Sequence, residues 1–175
     1  MAKYVALLRG INVGTAKRVQ MADLSALFSG LGYKDVKTLL NSGNVVFSGT
    51  RAAELKIEAA FSERFGFSSR ITVVGSEELS GIVKDNPITE ISDPSRFLVA
   101  FLKTESHREI LMPMREAVWH PEALALGKRV AYMWCPEGVL ASRLGEAVNK
   151  ALKDSVTVRN WSTVLKLNAL AAGVR

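Results

Sequence analysis

Apolar positions along this chain follow two periods, and the changes between them mark its elements. Residues 3–9 form a short apolar run closed by Gly10, which predicts a strand. A polar loop follows as far as Arg18. Met21, Leu24, Leu27, Phe28 and Leu31 then recur at helical spacing, and Gly30 and Gly32 close that helix. Residues 34–40 predict a second strand and residues 45–48 a third. Between them Asn41-Ser42-Gly43-Asn44 reads as a hairpin turn. Ile57, Phe61 and Phe65 mark a second helix ending at Gly66, and residues 70–74 a fourth strand. Ser76, with Glu77 and Glu78 behind it, predicts the start of a short extra helix that Asn86-Pro87 stops.

After a segment rich in Pro, Asp and Ser, the same order recurs in unrelated residues. Residues 97–102 read as a strand, and Ser106-His107-Arg108-Glu109 has capping-box spacing at a helix start. Pro113 must end or kink that helix. Residues 122–126 and 129–135 predict a hairpin about Gly127-Lys128. Leu140, Leu144, Ala147, Val148, Ala151 and Leu152 form a helical stripe. Residues 155–158 predict a strand, and residues 162–172 a last helix. The expected fold is α+β, with two ferredoxin-like (βαββαβ, α/β-plait) subdomains packed together. Residues 1–85 make the first, with its extra helix. Residues 86–95 link it to the second, residues 96–175, which carries the C-terminal helix.

Three strands lack the alternation of a one-sided sheet. In residues 97–102, FLVAFL, both alternating sets are apolar, and residues 4–8 and 130–135 behave alike. Both faces of these strands are therefore expected to be covered, one by helices and the other by the second half or by another subunit.

Composition narrows the function classes. Hydrophobic residues are 48% and charged residues 23%, which fits a packed core rather than disorder. The net charge of +6 permits an anionic partner and equally fits a generally solvated basic surface; Lys and Arg divide 11 and 12 on either side of Pro87, so no basic arm stands out. The single cysteine, Cys135, excludes an internal disulfide, fits a reducing compartment, and ends an apolar run as a buried, inert thiol would. No signal peptide and no span of about 20 apolar residues is present, so a cytoplasmic location without membrane partners is expected. No metal-ligand spacing occurs, and two histidines, His107 and His120, offer little for acid–base work.

Three polar clusters are candidates for chemistry. The first runs from Arg9 and Gly10 through Asn12 and Gly14 to Lys17; the second is Ser42-Gly43-Asn44. A helix crosses over between the first two strands, so those strands run parallel and both clusters fall at one sheet edge. Glycines there let backbone amides approach a ligand, and the cations favour an anion. In the competing reading the glycines only make turns and the two asparagines only tie loops together. The third cluster, Arg159, Asn160, Trp161 and Thr163 with Lys166 beyond, joins the last strand to the last helix. Asn160 or Ser162 would cap that helix. Its first amides with Arg159 would suit a carboxylate or phosphate, or else Trp161 simply fills a core gap. Neither a P-loop nor a complete GxGxxG motif is present.

LLRGINVG (residues 7–14), SGNVVF (42–47) and TVRNWSTVLKL (157–167) together resemble the signature of the family catalogued as domain of unknown function 1697. The likeness spans nearly the whole chain and departs from the family pattern at Thr15 and Gln20. It implies a bacterial-type cytoplasmic protein with two ferredoxin-like subdomains. It supplies no substrate, cofactor or catalytic residue, and it brings the reading of the three clusters as one site level with the reading of them as separate turns.

Three functions are compatible with these residues. The first is binding of a small anionic ligand or nucleotide at the convergent Gly loops; nucleic acid is the weaker variant, because SGNVVF offers one aromatic, Phe47, where an RNA-binding strand shows several. The second is an enzyme on a small anionic substrate, with Lys17 or Lys166 as the acid–base group. The third is a homo-oligomeric interaction protein. The cofactor is unknown, and the chain is expected to be a monomer or homodimer.

Overall fold

The computed structural model describes residues 1–173. It has the expected α+β class, with two four-stranded antiparallel sheets and their helices. One compact unit comprises Met1–Ser80 and the described residues from Leu167 on; the other comprises Gly81–Lys166. The segment 86–95 lies within the second unit.

In the first unit the order is β1 (Ala2–Leu8), α1 (Met21–Gly30), β2 (Lys34–Leu39), β3 (Asn44–Gly49), α2 (Glu54–Phe65) and β4 (Ile71–Gly75), followed by α3 (Ser76–Lys84), which begins in this unit and ends in the second. The strands lie in the order β2-β3-β1-β4, every neighbouring pair antiparallel. Gly66 ends α2 in the left-handed conformation at φ +77, as its position demanded. Alternate residues of three strands, Ala6, Leu8, Val45, Phe47, Ile71 and Val73, pack with Leu24, Leu27 and Phe28 of α1 and Ile57 and Phe61 of α2. Phe47 is the hub, its ring 5.1 Å from Phe28, 4.6 Å from Tyr33 and 5.6 Å from Tyr4. Burial of each such side chain is worth roughly 1.5–3 kcal/mol. The opposite set, Val5, Leu7, Val46 and Val74, is buried as well.

The second unit repeats the scheme with β5 (Phe97–Leu102), α4 (Glu105–Leu111), β6 (Ala123–Leu126), β7 (Val130–Trp134), α5 (Arg143–Leu152) and β8 (Val156–Asn160), the strands ordered β6-β7-β5-β8. The start of α6 (Trp161–Ala171) follows directly on β8. All six residues of β5 are buried, as its unbroken apolar run required. Leu98, Ala100 and Leu102 face Leu111 of α4 and Leu144, Val148 and Leu152 of α5. On the other side the Phe97 ring stacks on Tyr132 at 6.3 Å and meets Trp161 edge-on at 5.1 Å. The Tyr132 hydroxyl donates to the Ile82 carbonyl at 2.7 Å. Desolvation, with Asp85 nearby, pushes this phenol up to about 12.

Two local expectations need correction. The Ser106–Glu109 capping box does not form: α4 begins two residues earlier than that box requires, at Glu105, with Thr104 in the N-cap position. The hydroxyls of Thr104 and Ser106 bond each other at 2.7 Å instead. Leu140 is not part of the α5 stripe. It sits fully exposed in a 3-10 turn, and the helix starts only after Ser142, whose hydroxyl accepts from Gly145 N at 2.8 Å. Pro113 stands in the 3-10 turn that succeeds α4, where its missing N–H costs nothing to an α-helix.

Candidate functional site

The first two clusters meet where β1 ends. β1 and β2 both pair antiparallel with β3, so the hairpin turn after β2 lies beside the chain leaving β1. Leu8 N donates to Gly43 O at 2.9 Å. Gly43 adopts φ +91, and a Cβ there would lie 2.7 Å from Ile11 Cδ1 and 2.9 Å from Leu8 Cβ, so glycine is required on both conformational and packing grounds. The start of β4 joins the same edge. Arg9 N donates to Arg70 O at 3.0 Å and to Ser69 Oγ at 3.2 Å, and Ser69 Oγ donates back to Arg9 O at 2.8 Å.

Asn12 is the clasp of this edge. Its side-chain amide donates to Val19 O at 2.9 Å and to Asn41 O at 2.8 Å, and its Oδ1 accepts from Val19 N at 2.7 Å. One side chain thus closes the 10–18 loop on itself and ties it to the hairpin turn. Buried Asn44 donates to Leu39 O at 2.7 Å and to Ser42 Oγ at 3.1 Å, which holds the turn from within. Both asparagines therefore hold loops in place, with amide donors aimed at backbone and turn rather than outward.

The rim is cationic. Arg9 is half-buried, while Gly10, Gly14, Lys17, Arg18, Ser42 and Arg70 are exposed. The Lys17 ammonium stands 6.0 Å from the Phe67 ring centroid, which holds it over the third loop of this edge. The segments 9–20, 40–43 and 66–70 contain Arg9, Lys17, Arg18 and Arg70 and no Asp or Glu. Glu58 of α2 reaches the start of β4, where its carboxylate accepts from Ile71 N at 2.8 Å.

The third cluster stands at the end of β8. Asn160 is the cap, its Oδ1 accepting from Thr163 N at 2.9 Å. Trp161 and Thr163 are buried and Lys166 is exposed. Arg159 donates to Val158 O at 2.9 Å. Burial pulls the Arg159 guanidinium down to about 10, and it remains a cation at neutral pH.

Sequence reading passed over Ser69 and Arg70. The signal was topological: β4 pairs antiparallel with β1, so its first residues adjoin the last residues of β1. Glu122 was passed over too. Its Oε1 accepts from Arg143 N at 3.1 Å and Leu144 N at 3.3 Å, and its other oxygen accepts from Ser142 Oγ, so one carboxylate fills the start of α5. Cys135 is buried against Ser142, and burial pushes its thiol up, away from the reactive thiolate. Among the described residues no group of three or more His, Cys, Asp and Glu is placed to hold a metal, and no helix is long and apolar enough to cross a membrane.

Two antiparallel sheets of matching strand order, one with a cationic loop edge, define the class of protein: a mixed α+β chain. Within that class the chain belongs to the family described as protein of unknown function (DUF1697), whose model matches residues 1–132. The RNW motif lies beyond those matched residues. Among solved structures, the conserved bacterial protein SP0830 from Streptococcus pneumoniae is similar over 97% of this chain and 98% of its own, with a TM-score of 0.81 and 22% identity. At that identity the likeness is one of fold. Protein BT0572 from Bacteroides thetaiotaomicron aligns over 94% of this chain and 96% of its own at 9% identity, but its TM-score of 0.23 carries no argument. No curated protein matches the chain.

Proposed function

We propose that the protein binds a small anionic ligand, of the kind a nucleotide phosphate presents, at the loop edge of the first sheet. One observation carries this reading: three loops that hydrogen-bond one another bring Arg9, Lys17, Arg18 and Arg70 to one edge and contribute no carboxylate. Lys17, Arg18 and Arg70 are exposed there, so like charges gathered at one edge repel, and an anion relieves that repulsion. The clasped loops support the reading further, because a rim held by Asn12 and Gly43 loses little entropy on binding. We take each sheet with its flanking helices as a ferredoxin-like unit, supported by the equivalent orders β2-β3-β1-β4 and β6-β7-β5-β8. A stacked RNA base is the weaker ligand, since Phe47, the aromatic of SGNVVF, is fully buried among Phe28, Tyr33 and Tyr4.

The test is a titration with ATP followed by calorimetry at several salt concentrations. Binding should weaken as salt rises. Lys17→Ala with Arg18→Ala should weaken it about tenfold, or ~1.4 kcal/mol, without loss of thermal stability. Affinity that ignores both salt and these substitutions would refute the proposal.

A further inference from the structure

The opposite edge of the first sheet holds a second cationic hollow. There β1 begins, β3 ends and β2 begins, with Ala2 paired to Gly49 and Lys34 to Ser48. Tyr33, Lys34, Gly49, Arg51, Ala53 and Lys56 are among the residues that line a cavity of about 330 Å³, a size that suits a small ligand.

Its lining carries Lys34, Arg51 and Lys56 and no carboxylate. All three side chains are exposed, and among the described residues none of them has an ion-pair partner. The acids nearest in sequence to Arg51 and Lys56 are Glu54 and Glu58, whose carboxylates are turned onto β4, accepting from Val73 N at 2.7 Å and Ile71 N at 2.8 Å. The floor is fixed in advance. The Tyr33 hydroxyl accepts from Ala53 N at 3.2 Å, and its ring packs between Phe28 and Phe47. Gly49 leaves room for that ring: a Cβ there would lie 2.9 Å from Tyr33 Cδ1. Three unpaired cations from three segments thus surround a rigid aromatic floor, an arrangement that costs repulsion when empty and gains when a multiply charged anion enters.

We propose that this hollow binds a small phosphorylated molecule through Lys34, Arg51 and Lys56, as a site separate from the loop edge and independent of the function proposed there. Arg51 can take two phosphate oxygens at once, while the two lysines act as point charges.

Inorganic pyrophosphate is the probe, titrated into the full chain at fixed ionic strength while amide shifts are followed by NMR. Saturable shifts are expected at the Tyr33, Leu55 and Lys56 amides. The double variant Arg51→Ala/Lys56→Ala should raise the dissociation constant read at those amides about tenfold or more. The loop-edge variant Lys17→Ala/Arg18→Ala and the control Lys150→Ala, an exposed lysine on α5, should leave it within about twofold. All of these side chains are exposed, so the variants keep the fold, which the unchanged amide spectrum elsewhere verifies. The proposal is overturned if these amides do not shift saturably, if the Arg51/Lys56 variant binds as tightly as wild type, or if Lys150→Ala weakens binding equally. ATP binding lost only in the loop-edge variant, with pyrophosphate shifts intact here, separates the fate of the two sites.

Discussion

β4 is an edge strand, and two carboxylates of α2 close its free side. Glu58 accepts from Ile71 N at 2.8 Å and Glu54 from Val73 N at 2.7 Å. The geometry suits this: residues four apart on a helix rise about 6 Å, and residues two apart on a strand advance about 6.7 Å, so two acids on one helix face match two successive outward amides. Hydrogen bonds to a charged acceptor are worth roughly 1.5–3 kcal/mol each. Both glutamates are half-buried, and water can partly replace them at an edge. The double variant Glu54→Ala/Glu58→Ala should therefore lose about 2–4 kcal/mol in urea denaturation, with each single variant losing about half. Glu54→Gln/Glu58→Gln keeps an acceptor in place and should lose about half as much as the alanine pair, because charge assistance roughly doubles such a bond. Light scattering is the second readout, since an uncovered strand edge offers amides to a second molecule. An alanine pair within about 0.5 kcal/mol of wild type, and still monodisperse where wild type is, would refute the reasoning.

Gly43→Ala should cost about 2–4 kcal/mol, because its Cβ would strike Ile11 and Leu8 in a left-handed backbone, and the melting temperature should fall accordingly. Tyr132→Phe should lose about 1 kcal/mol near neutral pH with the bond to Ile82 O. The phenol's folded value lies above its unfolded 10.0, so its contribution is full below pH 10 and is lost as pH rises toward 12; stability measured across that window should fall less steeply in the variant than in wild type. Cys135 should resist thiol reagents in the native protein and react fully in denaturant, since burial keeps it protonated; rapid native labelling would contradict its placement.

Much of the fold is legible in the residue pattern, because each element carries its own period. FLVAFL becomes a strand buried throughout, and Ile57, Phe61 and Phe65 reappear on one helix. Most strand ends moved by a residue or two, and the starts of α4 and α5 moved where polar residues compete for the same backbone groups. Thr104 and Ser106 bond each other instead of forming a capping box, and Ser142 rather than anything near Leu140 starts α5. At the candidate site, the meeting of Arg9-Gly10 with Ser42-Gly43 follows from one crossover and one hairpin, both readable in advance. The roles of the side chains do not follow. Asn12 could have faced a ligand, yet its three bonds go to Val19 and Asn41.

By itself, then, the order of apolar and polar residues determined the number and sequence of strands and helices, and hence which loops share an edge of a sheet, because periodicity and chain connectivity are local properties. Only the tertiary structure decided that Glu54 and Glu58 seal β4, that Glu122 fills the start of α5, and that Lys34, Arg51 and Lys56 surround Tyr33 without an acid among them. The physical reason is distance. A charged or amide side chain takes whichever partner lies within about 3 Å of it once the backbone is folded, and residues far apart in sequence supply those partners.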